Sequence, residues 1–531
     1  MGKTEWEAEE ARWAKQIEAV VGGVRAWRAA HPRATFREIA EAIDAELNPL
    51  RAQMLAEAAA TSPAARFTEL PAEERPQCAT CGGKLIGRGR RRRRVVTRGD
   101  ATVELEREYG VCAACEGGVF PLDEELELGT ERFDPWLVES IVLLGTVMPF
   151  ERVPLVLDRL LTVPVGVETA RRLTEAIGET RVTLEAAEAE RVRATLPMPV
   201  SGPAVQQLSL DGAMVPLVGG AWAEVKTLAL GEVERTTAAD GSVRIRTTAL
   251  SYFSRLTDAE TFREQARGEL YRRGTAAATV VCAVQDGAEW QQRFVDYHRP
   301  DAVRILDFPH ALEHLGTVGR AVFGAGSAAF SEWLGAQAHT FKHGEPDRVL
   351  TALRTLDLTD AVDPEASRHQ AEALTYFEKR RAQLAYADFR TLGYPIGSGV
   401  VESANKLVVE ARLKGSGMRW DRASVSPMVS LRDLLCSDRW AAEWPVTWRA
   451  HLAESRHRRP RRAQDADSDP DPAATLPAPP TPQPARSTRP AAPPPSPTSP
   501  PRVVDGRPTA AHPWRKPFFR SRQRQPLSAI T

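Results

Sequence analysis

The sequence predicts a mixed α/β protein: an α/β core carrying an all-α insertion, preceded by an N-terminal helical region and a zinc-ribbon module. Three observations predict it. From about residue 204, five apolar segments with strand character are interleaved with helical patterns. Two Cys-x-x-Cys pairs bracket a single hairpin pattern. Elsewhere the apolar residues recur at helical spacing.

Length and charge bound the possibilities. The chain has 531 residues, 42% hydrophobic and 26% charged, so it can bury a real core. The longest apolar stretch, Leu137 to Phe150, contains Glu139 and falls short of the ~20 residues a membrane-spanning helix needs. The opening MGKTEWEAEEARW has no apolar leader pattern, and 6 cysteines in so long a chain do not form a disulfide scaffold. A cytoplasmic protein with reduced thiols and no membrane partner is expected. Lys+Arg and Asp+Glu both number 70, yet the charge is segregated. Lys84 to Arg98 holds basic residues without an acid, and Asp123, Glu124, Glu125, Glu127 and Glu131 follow.

Residues 1–70 read as the helical region. Thr35-Phe-Arg-Glu38 is a capping box ahead of Ile39, Ile43 and Leu47. Residues 71–122 form the ribbon. Cys78-x-x-Cys81 and Cys112-x-x-Cys115 flank a hairpin turning near Gly99-Asp100, which would bring four thiolates together for a structural Zn²⁺. Inside that hairpin lies Arg90, Arg91, Arg92, Arg93 and Arg94. Such a run repels itself without a counter-anion, which favours a nucleic-acid contact over a merely solvated face. Cys282 and Cys436, alone in apolar segments, read as core.

Residues 123–200 are helical. Phe150 to Leu160, a turn at Leu161–Gly166, and Val167 to Ile177 have helix-turn-helix spacing, with Thr169, Arg171 and Arg172 near the groove-facing end. An ordinary helical pair fits equally. The α/β domain spans 201–450, with the helical insertion at about 311–392. Residues 456–531 hold roughly half of the 40 prolines and read as a disordered Pro/Arg-rich tail.

Three acids stand out within the α/β domain. Asp211 lies in the first strand, Asp286 just after the fourth, and Glu402 at the start of a late helix. If the first and fourth strands are neighbours, these carboxylates converge. Three acids at one point need a cation, and hard oxygen ligands suit Mg²⁺. Two ions ~3.5–4 Å apart could activate a water or 3′-hydroxyl and stabilise the leaving oxygen of a phosphodiester, with Mn²⁺ as a substitute.

The stretches LSLDGAMVPL, VQDGAEW, ILDFPHALEHL and above all YPIGSGVVESANKLVVEARLKGSGMRW carry a resemblance. Over about 75–445 the chain resembles bacterial insertion-sequence DDE transposases of the Kra type, a Mutator-like group. The resemblance implies an RNase H-like catalytic core, Asp211, Asp286 and Glu402 as catalytic triad, and cleavage at element ends followed by strand transfer into target DNA. It also implies a homo-oligomer holding two DNA ends. Gln285 before Asp286 is a departure, since a small residue is expected there.

Asp307, His310 and His314 read as a supporting group, with Asp307 in reserve as the second acid. Lys406, Arg412, Lys414, Arg419 and Trp420 are placed for DNA, with burial of Trp420 as the competing reading. A DNA-binding regulator without catalysis and an RNase H-like nuclease remain the alternatives.

Overall fold

The computed structural model describes residues 3–237, 243–458, 503–504 and 507–508. Residues 1–466 make one compact unit and 467–531 a second. In the second, Val503–Val504 pairs antiparallel with Arg507–Pro508. Residues 456–458 of the proposed 456–531 tail still belong to a helix, and the remainder of it, apart from those two short strands, lies outside the described residues.

Two helices open the chain, α1 (Lys3–Ala30) and α2 (Phe36–Ala60). The capping box forms as read: Thr35 Oγ1 accepts from the Glu38 amide, and Glu38 accepts from the Thr35 amide. The hairpin pairs β1 (Leu85–Thr97) with β2 (Ala101–Cys112), and β3 (Gly118–Val119) adds an edge. Ala52 of α2 packs with Val95, Val103 and Leu105, so the helical region and the hairpin share a core.

Next come α3 (Pro121–Glu125), α4 (Pro135–Val147), α5 (Val153–Leu161) and α6 (Val167–Thr195). They do not stand apart as a domain. Leu137, Ile141, Leu157, Leu173 and Ile177 pack with Leu431, Leu434, Trp440, Trp444 and Trp448, from the chain's last helices. The two helices of the helix-turn-helix candidate are α5 and α6. The second helix runs on to Thr195, its inner face is core, and Arg171 is paired with Glu168 and Glu175.

The α/β domain follows the predicted order: β4 (Val205–Pro216), β5 (Trp222–Thr237), β6 (Val243–Arg255), α7 (Ala259–Gln265), α8 (Arg267–Arg272), β7 (Val280–Gln285), α9 (Glu289–His298) and β8 (Val303–Leu306). The helix expected after β6 is broken in two at Ala266. The sheet order is β6-β5-β4-β7-β8. β5 pairs antiparallel with both β4 and β6, while β7 and β8 run parallel to β4. Side chains alternate across the strands with a period of two. Leu208, Leu210, Leu228 and Phe253 pack on Phe262 and Phe294 of α7 and α9. Ala213, Val215, Val225 and Tyr252 pack on Val401, Val408 and Val425 from the other side.

The insertion is α10 (Phe308–Phe323), α11 (Ala328–His343), α12 (Pro346–Arg354), α13 (Ala366–Lys379) and α14 (Tyr386–Leu392), packed onto Cys282, Val284 and Ile305. The late helix is continuous but not regular. It starts as α15 (Gly399–Ala404), widens into a π-helical stretch over Asn405–Glu410 and ends as α16 (Ala411–Leu413). Two further helices, α17 (Arg422–Cys436) and α18 (Trp440–Arg458), close the unit. No helix among the described residues is long and apolar enough to cross a membrane.

Candidate functional site

The parallel pairing of β4 with β7 places the first two acids. Val205 pairs with Val280 and Leu208 with Ala283, after which the strands part. Asp211 lies three residues beyond the last paired residue of β4, and Asp286 lies three beyond that of β7, so both acids sit past the same end of the ladder. Carboxyl ends of parallel strands, where the connection changes sense, are the usual ligand position in such sheets. Asp286 caps its own turn through the Ala288 amide at 2.9 Å, and Gly287 takes a positive φ of 84° to make that turn.

Glu402 is brought in by a fixed loop. Pro395–Gly399 cannot continue a helix, and it is pinned at three points. The Ser398 amide donates to Asp307 Oδ1 at 2.6 Å, the Phe308 amide to the Ile396 carbonyl at 2.9 Å, and Gln207 Nε2 to the Gly397 carbonyl at 3.0 Å. Glu402 is therefore in the first turn of α15, exposed, at the edge of the crevice.

The electrostatics of Asp211 report the convergence. Its pKa is pushed up to about 6, first by burial and then by the charges of Asp286 and Glu402; bonds from the Gly212 amide and Asn405 work the other way. Gly212 N–H lies 2.7 Å from Oδ1, and Asn405 Nδ2 lies 2.8 Å from Oδ2. Asn405 was passed over in the sequence. The acids form a looser group than the cysteines. Among the described residues, the four cysteines alone form a set of three or more such side chains with all ligand atoms within 4.8 Å.

Asp307 is not a second acid in waiting. It is 2% exposed, and both its oxygens are engaged, Oδ2 by the His310 amide at the start of α10 and Oδ1 by Ser398. It is a helix cap that also fixes the loop carrying Glu402, which agrees with a supporting role. His310 and His314 do not complete a metal site with it. Their rings stand 5.0 Å apart edge to face, and His314 stacks on Tyr376 at 3.9 Å. The Tyr376 hydroxyl donates to the Asp286 carbonyl, and Arg380 donates to that of Gly287. The insertion thus braces the turn that holds the second acid, a role no local pattern could reveal.

Around Glu402 the basic residues divide. Lys406 and Arg419 are exposed, and Lys414 is paired with Glu410 at 2.7 Å. Arg412 and Trp420 are buried, which corrects their placement as DNA contacts. Arg412 donates to the Gly145 carbonyl at 2.9 Å and lies between the Phe150 and Trp420 rings, where burial lowers its pKa to about 10. Trp420 Nε1 donates to the Leu413 carbonyl.

The arginine run lies along β1. Strand alternation splits it. Arg93 points inward, to Asp123 at 2.9 Å and to the Gly129 and Glu131 carbonyls, and Arg91 lies over the Tyr109 ring. Outward, Arg92 and Arg94 stand opposite Glu106 and Glu104, and Arg90 pairs with Glu69. Counter-anions come from the facing strand for Arg94, from Glu69 for Arg90 and from Asp123 for Arg93. Arg93→Ala is expected to cost about 2–4 kcal/mol, by leaving buried polar groups short of a partner, whereas Arg92→Ala should be near neutral; thermal unfolding of the two variants checks it.

The cysteines meet as predicted. Sγ of Cys78 and Cys115 are 3.7 Å apart, and those of Cys81 and Cys112 are 3.4 Å apart. A tetrahedron with Zn–S near 2.3 Å has edges of ~3.8 Å. The set could therefore hold a metal such as zinc. Each pair sits on a tight turn, with Gly82 N–H donating to the Cys78 carbonyl and Glu116 N–H to that of Cys112. Amides of Cys115 and Ala114 hold the Cys112 thiol down to about 6, favouring thiolate. For Cys81 the Gly83 amide favours thiolate too, but the neighbouring sulfurs outweigh it and push the group up to about 12. A Cβ at Gly83 would stand 2.8 Å from Cys112 Sγ, so the close approach requires glycine.

No protein-family model and no curated protein matches this chain.

Proposed function

We propose that the protein is a DDE-type DNA transposase with an RNase H-like core, cleaving phosphodiesters at element ends and joining the freed 3′-hydroxyl to target DNA. One observation carries the reading: Asp211 in β4 and Asp286, the residue just past the neighbouring parallel strand β7, are close enough to Glu402 that Asp211 feels the charges of both other acids. A cluster of carboxylate oxygens is the donor set a pair of Mg²⁺ ions takes. When bound, such ions polarise the phosphate and lower the pKa of the attacking hydroxyl.

The chain's own residues supply the rest. Asp211 and Asp286 are rigid, held by the sheet and by Tyr376 and Arg380. Glu402 is exposed beside them and can reach toward DNA lying across the crevice. Lys406 and Arg419 are free to pair with phosphates on the approach. The four-cysteine module is read as a structural zinc ribbon. Two DNA ends brought together would call for a homo-oligomer.

The test is a nicking and strand-transfer assay on DNA taken from the two flanks of the gene, with Mg²⁺ or Mn²⁺. Joined products are expected. Binding without nicking under either metal would favour a regulator, and nicking of RNA–DNA hybrids without joining would favour a nuclease.

A further inference from the structure

The whole chain contains only two asparagines, Asn48 and Asn405. Asn48 lies beside the hairpin turn, its side chain where a Cβ at Gly99 would be. Asn405 is 6% exposed and faces the acids. Asparagine is a poor helix former, because its amide competes with the backbone. Here it sits where α15 gives way to the π-helical stretch, a distortion often found at functional sites. Three residues after Glu402, it shares that residue's helix face.

Its two polar atoms are treated differently. Nδ2 donates to Asp211 Oδ2 at 2.8 Å. Oδ1 is buried and has no hydrogen-bond partner. An unpaired buried carbonyl costs about 1–3 kcal/mol and calls for an explanation. Leucine would fill similar space without that cost. Asp211 Oδ1 is already taken by the Gly212 amide, so with Asn405 both oxygens of this carboxylate are fixed in direction before any cation arrives.

Building on the transposase reading, we infer that Asn405 is a positioning residue of the cation site, whose amide nitrogen orients Asp211 and whose buried carbonyl is kept for a water in the cation's coordination shell. Partners that orient ligands in this way typically contribute about 10–100-fold in metal affinity.

The sparse asparagine content makes the test direct. Full-length protein labelled with ¹⁵N-asparagine gives two side-chain amide pairs, and Asn405→Leu assigns them. Titrated Mn²⁺ is expected to broaden the Asn405 pair while Asn48 stays sharp. Asn405→Leu is expected to bind Mn²⁺ about 10–100-fold more weakly, with a thermal midpoint in chelator equal to or above that of the unsubstituted chain. A merely structural asparagine would lower the midpoint and spare the affinity. If Mn²⁺ binds and Asp211→Asn weakens it, but the Asn405 signals stay sharp, this inference fails and the transposase reading stands. If the unsubstituted chain binds no Mn²⁺, both fall. Should Asn405→Leu not fold, the broadening in the unsubstituted chain decides, with Asn48 identified by its own substitution.

Discussion

Replacing Cys112 with serine is expected to release one zinc ion per chain and unfold the ribbon. The reason is the size of the core there. Phe67, Cys78, Leu85 and Cys112 are its buried members, so two of the four belong to the cysteine cluster that could hold the metal. So small a cluster cannot offset the ordering of two knuckle turns. A structural zinc contributes on the order of 10–16 kcal/mol in small modules, and losing one of four thiolates removes a large share of it. Zinc released from protein purified without chelator, read colorimetrically, should fall from about one per chain toward zero. Proteolysis should open at the exposed turns around Ala79–Thr80 and Ala113–Ala114. Protection unchanged in Cys112→Ser, with no zinc in either protein, would remove the ribbon from the account.

Asp211→Asn is expected to abolish Mg²⁺-dependent nicking, by at least about 10³-fold, while making the metal-free protein more stable. The two effects share one origin. Burial and the neighbouring acids raise the folded-state pKa of Asp211 to about 6, above its unfolded value. The folded chain therefore holds a proton that the unfolded chain has released. Stability falls as pH rises from about 4 to about 6, and the cost is complete above that window. Allowing for solvent screening at this partly open site, it amounts to roughly 1–2 kcal/mol. Asn carries no charge, so the thermal midpoint in chelator should rise at pH 7.5 and not at pH 4. Mg²⁺ should raise the midpoint of the unsubstituted chain at pH 7.5 and lose that effect below about pH 6, where the proton competes for Asp211. A midpoint lowered by Asp211→Asn at pH 7.5 would mean that the carboxylate is already compensated within the protein and is not waiting for a cation.

Much of this architecture is legible in local sequence. The cysteine spacing around Gly99-Asp100 brought four sulfurs together, because a hairpin returns what it sends out. The five strands and the order of Asp211, Asp286 and Glu402 could be read from alternation and breaks, since burial on one sheet face imposes a period of two. Even the counter-charges to the arginine run were present, as Glu104-x-Glu106-x-Glu108 at the same period beyond the turn.

Only the tertiary structure decided what lies opposite what. Arg412 and Trp420 read as DNA ligands, yet they fill the space between α4 and the sheet. The helices after residue 123 read as a separate domain, yet their apolar faces close on tryptophans some 300 residues later. Asp307 turned out to be a cap, and Tyr376, Arg380 and Asn405 turned out to brace the acids. A sequence periodicity states which face of an element is buried, but not against which partner. That choice depends on long-range packing, whose contacts are separated by tens to hundreds of residues and leave no local pattern.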